Sequence, residues 1–313
     1  MNIDFLEALE EMARERGIDR EAAYVAMEQG IGAAYILEFG RTPEQVSIDR
    51  SSGDVRVDGQ RLEWEDLSRI ATRRAEEVFR QEILKHRREI LYDMYAGRVG
   101  EILNGSVHRF EGRSVWINLG EAEAFMPERE RIPGERYVPG RRLRAYLYEV
   151  ERTQGDPRLF VSRAHPQFVA KLLELEVPEV EQGLLEVIEV ARIPGVRSKV
   201  LVRGLDPRID PVGTCVGAGG SRIRAVSREL SGEKVDIIRW SEDPRDIIRG
   251  CLAPASVRAI ELDEQGRAAA VTVPANEVSL AIGRDGQSVE LAAKLTGYSI
   301  RIWTPSGDEV QAP

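Results

Sequence analysis

The sequence predicts a multidomain α+β chain: a helical α+β N-terminal part, a five-stranded closed β-barrel, and a duplicated α/β unit after it. Helical hydrophobic spacing dominates residues 4–39 and 65–95. Short alternating runs broken by turn residues fill 97–163. A glycine cassette with its flanking elements then occurs twice, at Gly217 and again 66 residues later at Gly283. Such self-similarity reads as a duplicated domain.

In the expected first domain, residues 1–96, residues 4–16 form an amphipathic helix with Phe5, Leu6, Leu9 and Met12 on one face. Gly17 ends it, and Asp19 suits the N-cap of a second helix reaching about Phe39. Gly30 and Gly32 inside that helix cost ~1 kcal/mol each relative to Ala, a cost that close packing would explain. Val46-Ser47-Ile48 and Val55-Arg56-Val57 flank a turn-rich stretch as a hairpin. Glu65 to about Tyr95 reads as one helix of ~45 Å. Leu67, Ile70, Ala71, Val78, Leu84 and Leu91 fall near helical spacing, and the helix is expected to bridge to the next domain.

The second domain, 97–165, alternates over 100–110, 114–119, 122–126, 142–150 and 159–162, with Gly112, Gly120, Pro133-Gly134 and Pro139-Gly140 among the turns. Five short strands so punctuated predict a barrel of OB type. Val115, Ile117 and Leu119 should face inward. Phe110, Trp116, Tyr146 and Tyr148 are candidates for base stacking or for the core. Arg109, Arg113, Arg141, Arg142 and Arg144 are candidates for backbone contact or for a solvated charged face, with Arg109 and Arg142 foremost. Asn104-Gly105-Ser106 matches a glycosylation acceptor but reads as a turn.

The third and fourth domains, 166–241 and 242–313, repeat helix, strand, strand, helix, glycine loop, helix, strand. Gly217-Ala218-Gly219-Gly220 and Gly283-Arg284-Asp285-Gly286 each open a helix, the first continuing into Ser221 and Arg222, the second into Gln287. A G-x-x-G loop in that setting marks the KH module, which clamps about four nucleotides of a single strand. Helix and strand lie N-terminal to the core motif, which is the bacterial-type (type II) arrangement. The glycines let the backbone approach a phosphate, and the helix N-terminus adds N–H donors with partial positive charge. Ile223, Val226, Val289 and Ala292 are expected to line a groove for splayed bases. A triphosphate loop needs a preceding strand and a Gly-Lys-Ser/Thr ending, both missing here. These thirteen residues (Gly217 to Arg222, Gly283 to Gln287, Arg109 and Arg142) are the candidate RNA contacts.

No run of ~20 apolar residues for a bilayer span occurs, and Met1-Asn2-Ile3-Asp4-Phe5 lacks a signal pattern. Isolated Cys215 and Cys251 suggest a reducing cytoplasm. His86, His108 and His165 lie far apart, so no catalytic, metal-ligating or cofactor-binding set is expected and the chain reads as a non-enzyme. The net charge is −9. Residues 1–95 carry 14 basic and 21 acidic side chains, −7, whereas 96–165 carry 12 and 10, +2. That split predicts two surfaces with different partners.

Ile132-Pro133-Gly134-Glu135-Arg136-Tyr137, Leu175-Glu176-Val177-Pro178-Glu179-Val180, Gly232-Glu233-Lys234-Val235-Asp236-Ile237-Ile238 and Ala281-Ile282 with Gly283 to Gln287 carry a family resemblance. On these stretches and on domain order, nearly the whole chain resembles the NusA family of bacterial transcription elongation factors. The resemblance implies an N-terminal domain that binds core RNA polymerase near the RNA exit channel. It implies nascent single-stranded RNA held on barrel and KH surfaces, with effects on pausing, termination and antitermination. Other antitermination factors are further expected partners, and a cytoplasmic monomer is the expected state. The first loop departs from the family in lacking a basic residue between its glycines. The N-terminal domain lacks a stretch that many members carry between the hairpin and the long helix. Acidic C-terminal repeats are absent, so no regulation through them is expected. A ribosome-associated or RNA-chaperone protein and an RNA-degrading phosphorolytic enzyme remain the alternatives.

Overall fold

The computed structural model describes residues 3–310. Two compact units are present: Met1–Arg98 with Val150–Arg158, and Val99–Glu149 with Leu159–Pro313.

In the first unit, α1 (Ile3–Glu15) is followed by α2 (Arg20–Phe39), whose N-cap is Asp19 as expected, its carboxylate accepting from Glu21 N. The hairpin strands β1 (Val46–Ile48) and β2 (Val55–Val57) pair antiparallel, and a short strand β3 (Gln60–Arg61) extends the sheet. The long helix α3 begins later than expected, at Arg69, and ends at Ala96. Ser68 sets its start by accepting from Ala71 N, so Leu67 lies outside the helix. Its 28 residues span about 42 Å. The buried stripe is Ala71, Ala75, Phe79, Ile83, Leu91 and Tyr95. Ile70 is 72% exposed and Val78 and Leu84 are only half-buried, so within the helix Ala71 and Leu91 alone of the expected stripe lie in the buried one.

Leu6, Leu9, Tyr24, Ile31, Ile48, Val55, Phe79 and Ile83 share one core, and Ala34, Leu67, Ala71 and Ala75 form a second, tighter cluster. Small residues there let α2 and α3 approach closely. A Cβ on Gly30 would lie 2.6 Å from the Ala75 carbonyl oxygen, which explains a helix-weakening glycine at that position. Gly32 has only ordinary contacts, the nearest at 3.6 Å.

In the second unit, five strands close a barrel in the order β4-β5-β6-β8-β7: β4 (Ile102–Glu111), β5 (Ser114–Asn118), β6 (Glu123–Met126), β7 (Arg142–Glu151) and β8 (Arg158–Ser162). The tip of the β7–β8 connection belongs to the first unit. There Arg152 lies 3.8 Å above the Tyr92 ring and Arg88 donates to the Gln154 carbonyl at 2.7 Å. Val115 and Ile117 point inward and are fully buried, whereas Leu119 follows the end of β5 and is half-buried. Asn104-Gly105-Ser106 is no turn but the middle of β4, where Gly105 leaves room for Ile117 and Leu119.

The first KH unit contains α4 (Pro166–Glu176), α5 (Pro178–Glu181), β9 (Leu185–Ile193), β10 (Arg197–Gly204), α6 (Pro211–Val216), α7 (Ser221–Glu229) and β11 (Lys234–Arg239). The second contains α8 (Pro244–Leu252), β12 (Ala259–Asp263), β13 (Ala268–Thr272), α9 (Val278–Ile282), α10 (Gln287–Thr296), β14 (Ser299–Trp303) and a further short strand, β15 (Glu309–Val310). In each sheet the central strand pairs antiparallel with its predecessor and parallel with the strand after the glycine loop. The two units share one core. Ala191, Leu201 and Ile238 of the first pack with Ile248, Leu252, Leu291 and Leu295 of the second.

Three buried cations lock this assembly. Arg163, 1% exposed, uses all five N–H groups. Nε and Nη2 donate to Glu135 at 2.8 and 2.9 Å, Nη1 to Glu229 Oε1 at 2.9 Å and the Arg144 carbonyl at 2.5 Å, and Nη2 to the Glu229 carbonyl at 2.7 Å. Arg192 and Glu233 are paired at 2.9 Å with both side chains fully buried. Lys199 joins Asp236 at 3.1 Å to the Cys251 carbonyl at 2.6 Å, linking the two KH units.

Two stability predictions follow from this packing. In urea unfolding, Gly30→Val destabilises the chain by roughly 1–3 kcal/mol through overpacking, while Gly32→Ala is neutral or stabilising by up to ~1 kcal/mol. Burial pushes the Glu135 carboxyl up, but hydrogen bonds and charge from Arg163 outweigh it, leaving the group below its ordinary value of 4.5. Its contribution is therefore complete above that value and is lost as pH falls through the lower folded one. Arg163→Met leaves two acids facing each other; it costs about 3–5 kcal/mol and raises the midpoint of acid unfolding followed by circular dichroism.

Candidate nucleic-acid interface

The two glycine loops adopt the same backbone. Gly217 (φ 73°, ψ 169°) matches Gly283 (φ 76°, ψ 176°). Gly219 (φ 55°, ψ 23°) matches Asp285 (φ 50°, ψ 31°), and Gly220 (φ 78°, ψ 22°) matches Gly286 (φ 76°, ψ 3°). Three left-handed residues in four turn the chain sharply between α6 and α7 and between α9 and α10. Asp is among the few L-residues that tolerate this region, which accounts for Asp285. Space also excludes side chains: a Cβ on Gly217 would sit 2.8 Å from Arg222 Cγ, and on Gly283 2.7 Å from Ser288 Oγ.

The middle of each loop, Ala218-Gly219 and Arg284-Asp285, is exposed. No side chain caps the N-terminus of α7 or α10. Each loop therefore presents its two middle residues at the positive end of a helix. The N–H groups of Gly217, Gly220, Ser221, Gly283, Gly286 and Gln287 donate to carbonyls of the loop or of the helix before it, and Gly286 is buried. Ser221 is exposed and Gln287 half-buried beside the loops.

Arg222 is engaged differently from expectation. Its guanidinium donates to both Glu179 oxygens at 3.0 and 3.2 Å and to the Thr214 carbonyl at 2.8 Å. It braces α6 and α5 under the loop instead of reaching outward. Val226 and Ala292 are likewise buried core residues and not groove walls. Ile223 and Val289 remain half-buried beside their loops.

On the barrel, four half-buried aromatic rings cross neighbouring strands on the outer face. Trp116 (β5) lies 5.0 Å from Phe125 (β6), Phe125 6.0 Å from Phe160 (β8), and Phe160 6.1 Å from Tyr148 (β7). Trp116 and Tyr148 were expected candidates. Phe125 and Phe160 were missed, although both alternate with the buried Ala124, Met126, Leu159 and Val161, a period-2 signal that places them outward. Phe110 is exposed near the end of β4. Tyr146 is instead stacked on His165 at 4.9 Å and packs into the core of the first KH unit. His165 caps α4 by accepting from Gln167 N at 3.1 Å, and burial holds its pKa below the ordinary value.

Arg109 lies 4.4 Å above the Trp116 ring and 3.3 Å from Glu123, so it orders the strip. Arg142 lines a groove of about 670 Å³ with Asn104, Ser106, Arg144 and Arg228. Among the described residues Arg142 has no ion-pair partner. Burial pushes the thiols of Cys215 and Cys251 up to about 12. Among the described residues no His, Cys, Asp and Glu group is placed to hold a metal, and no helix is long and apolar enough to cross a membrane.

Comparison with known proteins agrees with this architecture. Family models match three stretches: the NusA N-terminal domain at residues 4–62, the NusA-like first KH domain at 163–240, and the NusA-like second KH domain at 244–309. A protein of Thermus thermophilus named transcription termination/antitermination protein NusA is 39% identical, covering 96% of this chain and 89% of its own. The chain belongs to the NusA family. Proteins of the same name from Bacillus subtilis (36% identical, 96% and 91% covered) and Mycobacterium bovis (37%, 96% and 93%) are similar over the same extent. The NusA-like KH matches contain both glycine loops, and the barrel lies between the matched N-terminal and first KH stretches.

Phe125→Ala on the barrel strip lowers affinity for a single-stranded oligoribonucleotide by about 1–3 kcal/mol in fluorescence anisotropy, without changing the thermal midpoint by more than a few degrees.

Proposed function

We propose that the chain is a non-enzymatic transcription factor that binds RNA polymerase and the nascent single-stranded RNA, and so modulates pausing, termination and antitermination. The observation that carries this reading is the pair of glycine loops, alike in backbone geometry, exposed at their middle residues and each opening an uncapped helix. Exposed backbone at Ala218-Gly219 and at Arg284-Asp285, beside a helix N-terminus, suits phosphate, and in the first loop nothing bulkier than the Ala218 methyl stands between main chain and strand. Membership of a family whose relatives are named for termination and antitermination supports the transcriptional setting.

The first unit is the polymerase-binding part in this reading. Its net charge is −7 over residues 1–95. Leu37 and Phe39, at 53% and 46% exposure, form an apolar end on α2. A domain division at 1–96, 97–165, 166–241 and 242–313 gives one docking part and three RNA-holding parts. Tethering makes weak RNA contacts effective, because each then works at high local concentration. Catalytic groups have no part in this mechanism: the chain holds and positions the transcript.

Two measurements on the full chain test it. Gly217→Asp with Gly220→Asp, or Gly283→Asp with Gly286→Asp, weakens single-stranded RNA binding at least about tenfold, since an added anion now faces the phosphate. The same variants still capture polymerase subunits from solution. Unchanged RNA affinity in folded variants, or capture of ribosomal particles in place of polymerase, overturns the proposal.

A further inference from the structure

The two glycine loops share a backbone but not a charge pattern. Shifted by 66 residues, Ala218 corresponds to Arg284 and Arg224 to Glu290. The second unit thus carries its cation within the loop, and its helix position is an acid paired with Lys294 at 2.6 Å. The first unit has a neutral loop and places a cation on the second turn of α7. Arg224 folds back over that loop: its Nη1 donates to the Gly219 carbonyl, and a Cβ on Gly220 would lie 2.8 Å from it.

Arg228, one turn further on the same helix face, donates from Nε to the Arg224 carbonyl at 3.4 Å and lines the groove against the barrel. Across that groove stand Arg142 and Arg144. Arg141 and Glu229, also at its wall, are engaged with Glu135 and Arg163. Arg142, Arg144, Arg224 and Arg228 have no acidic partner among the described residues. Three of these guanidinium groups, those of Arg142, Arg144 and Arg228, line one groove of about 670 Å³, and Arg224 stands one helical turn before Arg228 beside the loop, which leaves a surface that a polyanion neutralises.

We propose that Arg224 is the phosphate-binding cation of the first KH unit, replacing the loop cation that the second unit keeps at Arg284. With Arg228 and Arg142 it leads the RNA backbone from the first glycine loop into the groove beside the barrel. The proposal rests on the RNA-binding reading above and specifies the path of the strand. Phosphates engage Arg224 beside the loop, then Arg228, then Arg142 and Arg144 across the groove. Polar Asn104 and Ser106 line the same groove, within reach of sugar hydroxyls.

The test compares Arg224→Gln, Arg142→Gln, Arg284→Gln and Gly217→Asp in the full chain. Each is titrated over a range of salt with oligoribonucleotides of about four and about twelve nucleotides, lengths that bracket a single KH site and a longer track. Each lost phosphate contact lowers the slope of log affinity on log salt by about 0.7 for a single strand. Arg224→Gln and Arg284→Gln lower it with either probe, whereas Arg142→Gln lowers it only with the longer one. Unchanged slopes for Arg224→Gln and Arg142→Gln, beside weakened binding by Gly217→Asp, overturn this inference alone. Unchanged binding by Gly217→Asp overturns the RNA-binding reading beneath it.

Discussion

The guanidinium of Arg163 is the interaction on which the RNA-holding half depends. An arginine with no access to water is costly unless every N–H finds an acceptor. Here two carboxylates and two carbonyls supply them, with Glu135 on the barrel side and Glu229 at the end of α7. Satisfying the charge therefore fixes the barrel against the helix that starts at the first glycine loop. Tyr137 completes the arrangement by donating to Glu135 at 2.7 Å while accepting from Ile132 N at 3.2 Å. Partial satisfaction would be worse than an apolar junction, so the geometry is all-or-none.

The same logic recurs further along. Glu233 holds Arg192, the Ser198 hydroxyl and Gly195 N at once, closing the end of the first KH sheet. The other side of that sheet covers α8 and α10 of the second unit, so the two KH units share a core besides the first unit's own. Lys199 reaches across to the Cys251 carbonyl. Two glycine loops, a half-open groove and an aromatic strip are thereby carried on one unit. In the proposed function a strand that touches one of them is held near the others, which converts several weak contacts into a usable affinity.

Most of the fold was legible in the residues because its signals are local. Asp19 and Ser68 cap helices, glycines mark turns, and the alternation over 114–118 and 123–126 describes strands. The duplicated loop was legible because left-handed backbone restricts residue choice at Gly217, Gly220, Gly283 and Gly286. Long-range information was not. Arg163, Arg192 and Lys199 look like surface charges in one dimension, and only the partners brought by the fold make them interior. Arg222 was read as a ligand contact for the same reason: Glu179, 43 residues away, was invisible. The start of α3 was misplaced because Trp64 to Asp66 form a separate short turn whose ends are tied by Glu63 and Asp66. Phe125 and Phe160 escaped notice because their strands lie far apart in sequence, yet they pair in register in the barrel.

In the proposed function one RNA strand contacts the KH units and the barrel of the second unit together. Photocrosslinking of a uridine-rich RNA carrying 4-thiouridine, with adducts mapped by mass spectrometry on the full chain, tests it most directly. The account predicts adducts beside both glycine loops, around α7 and α10, and on the Trp116–Phe125 strip. Adducts confined to residues 3–98, or an RNA that protects neither loop, would contradict it.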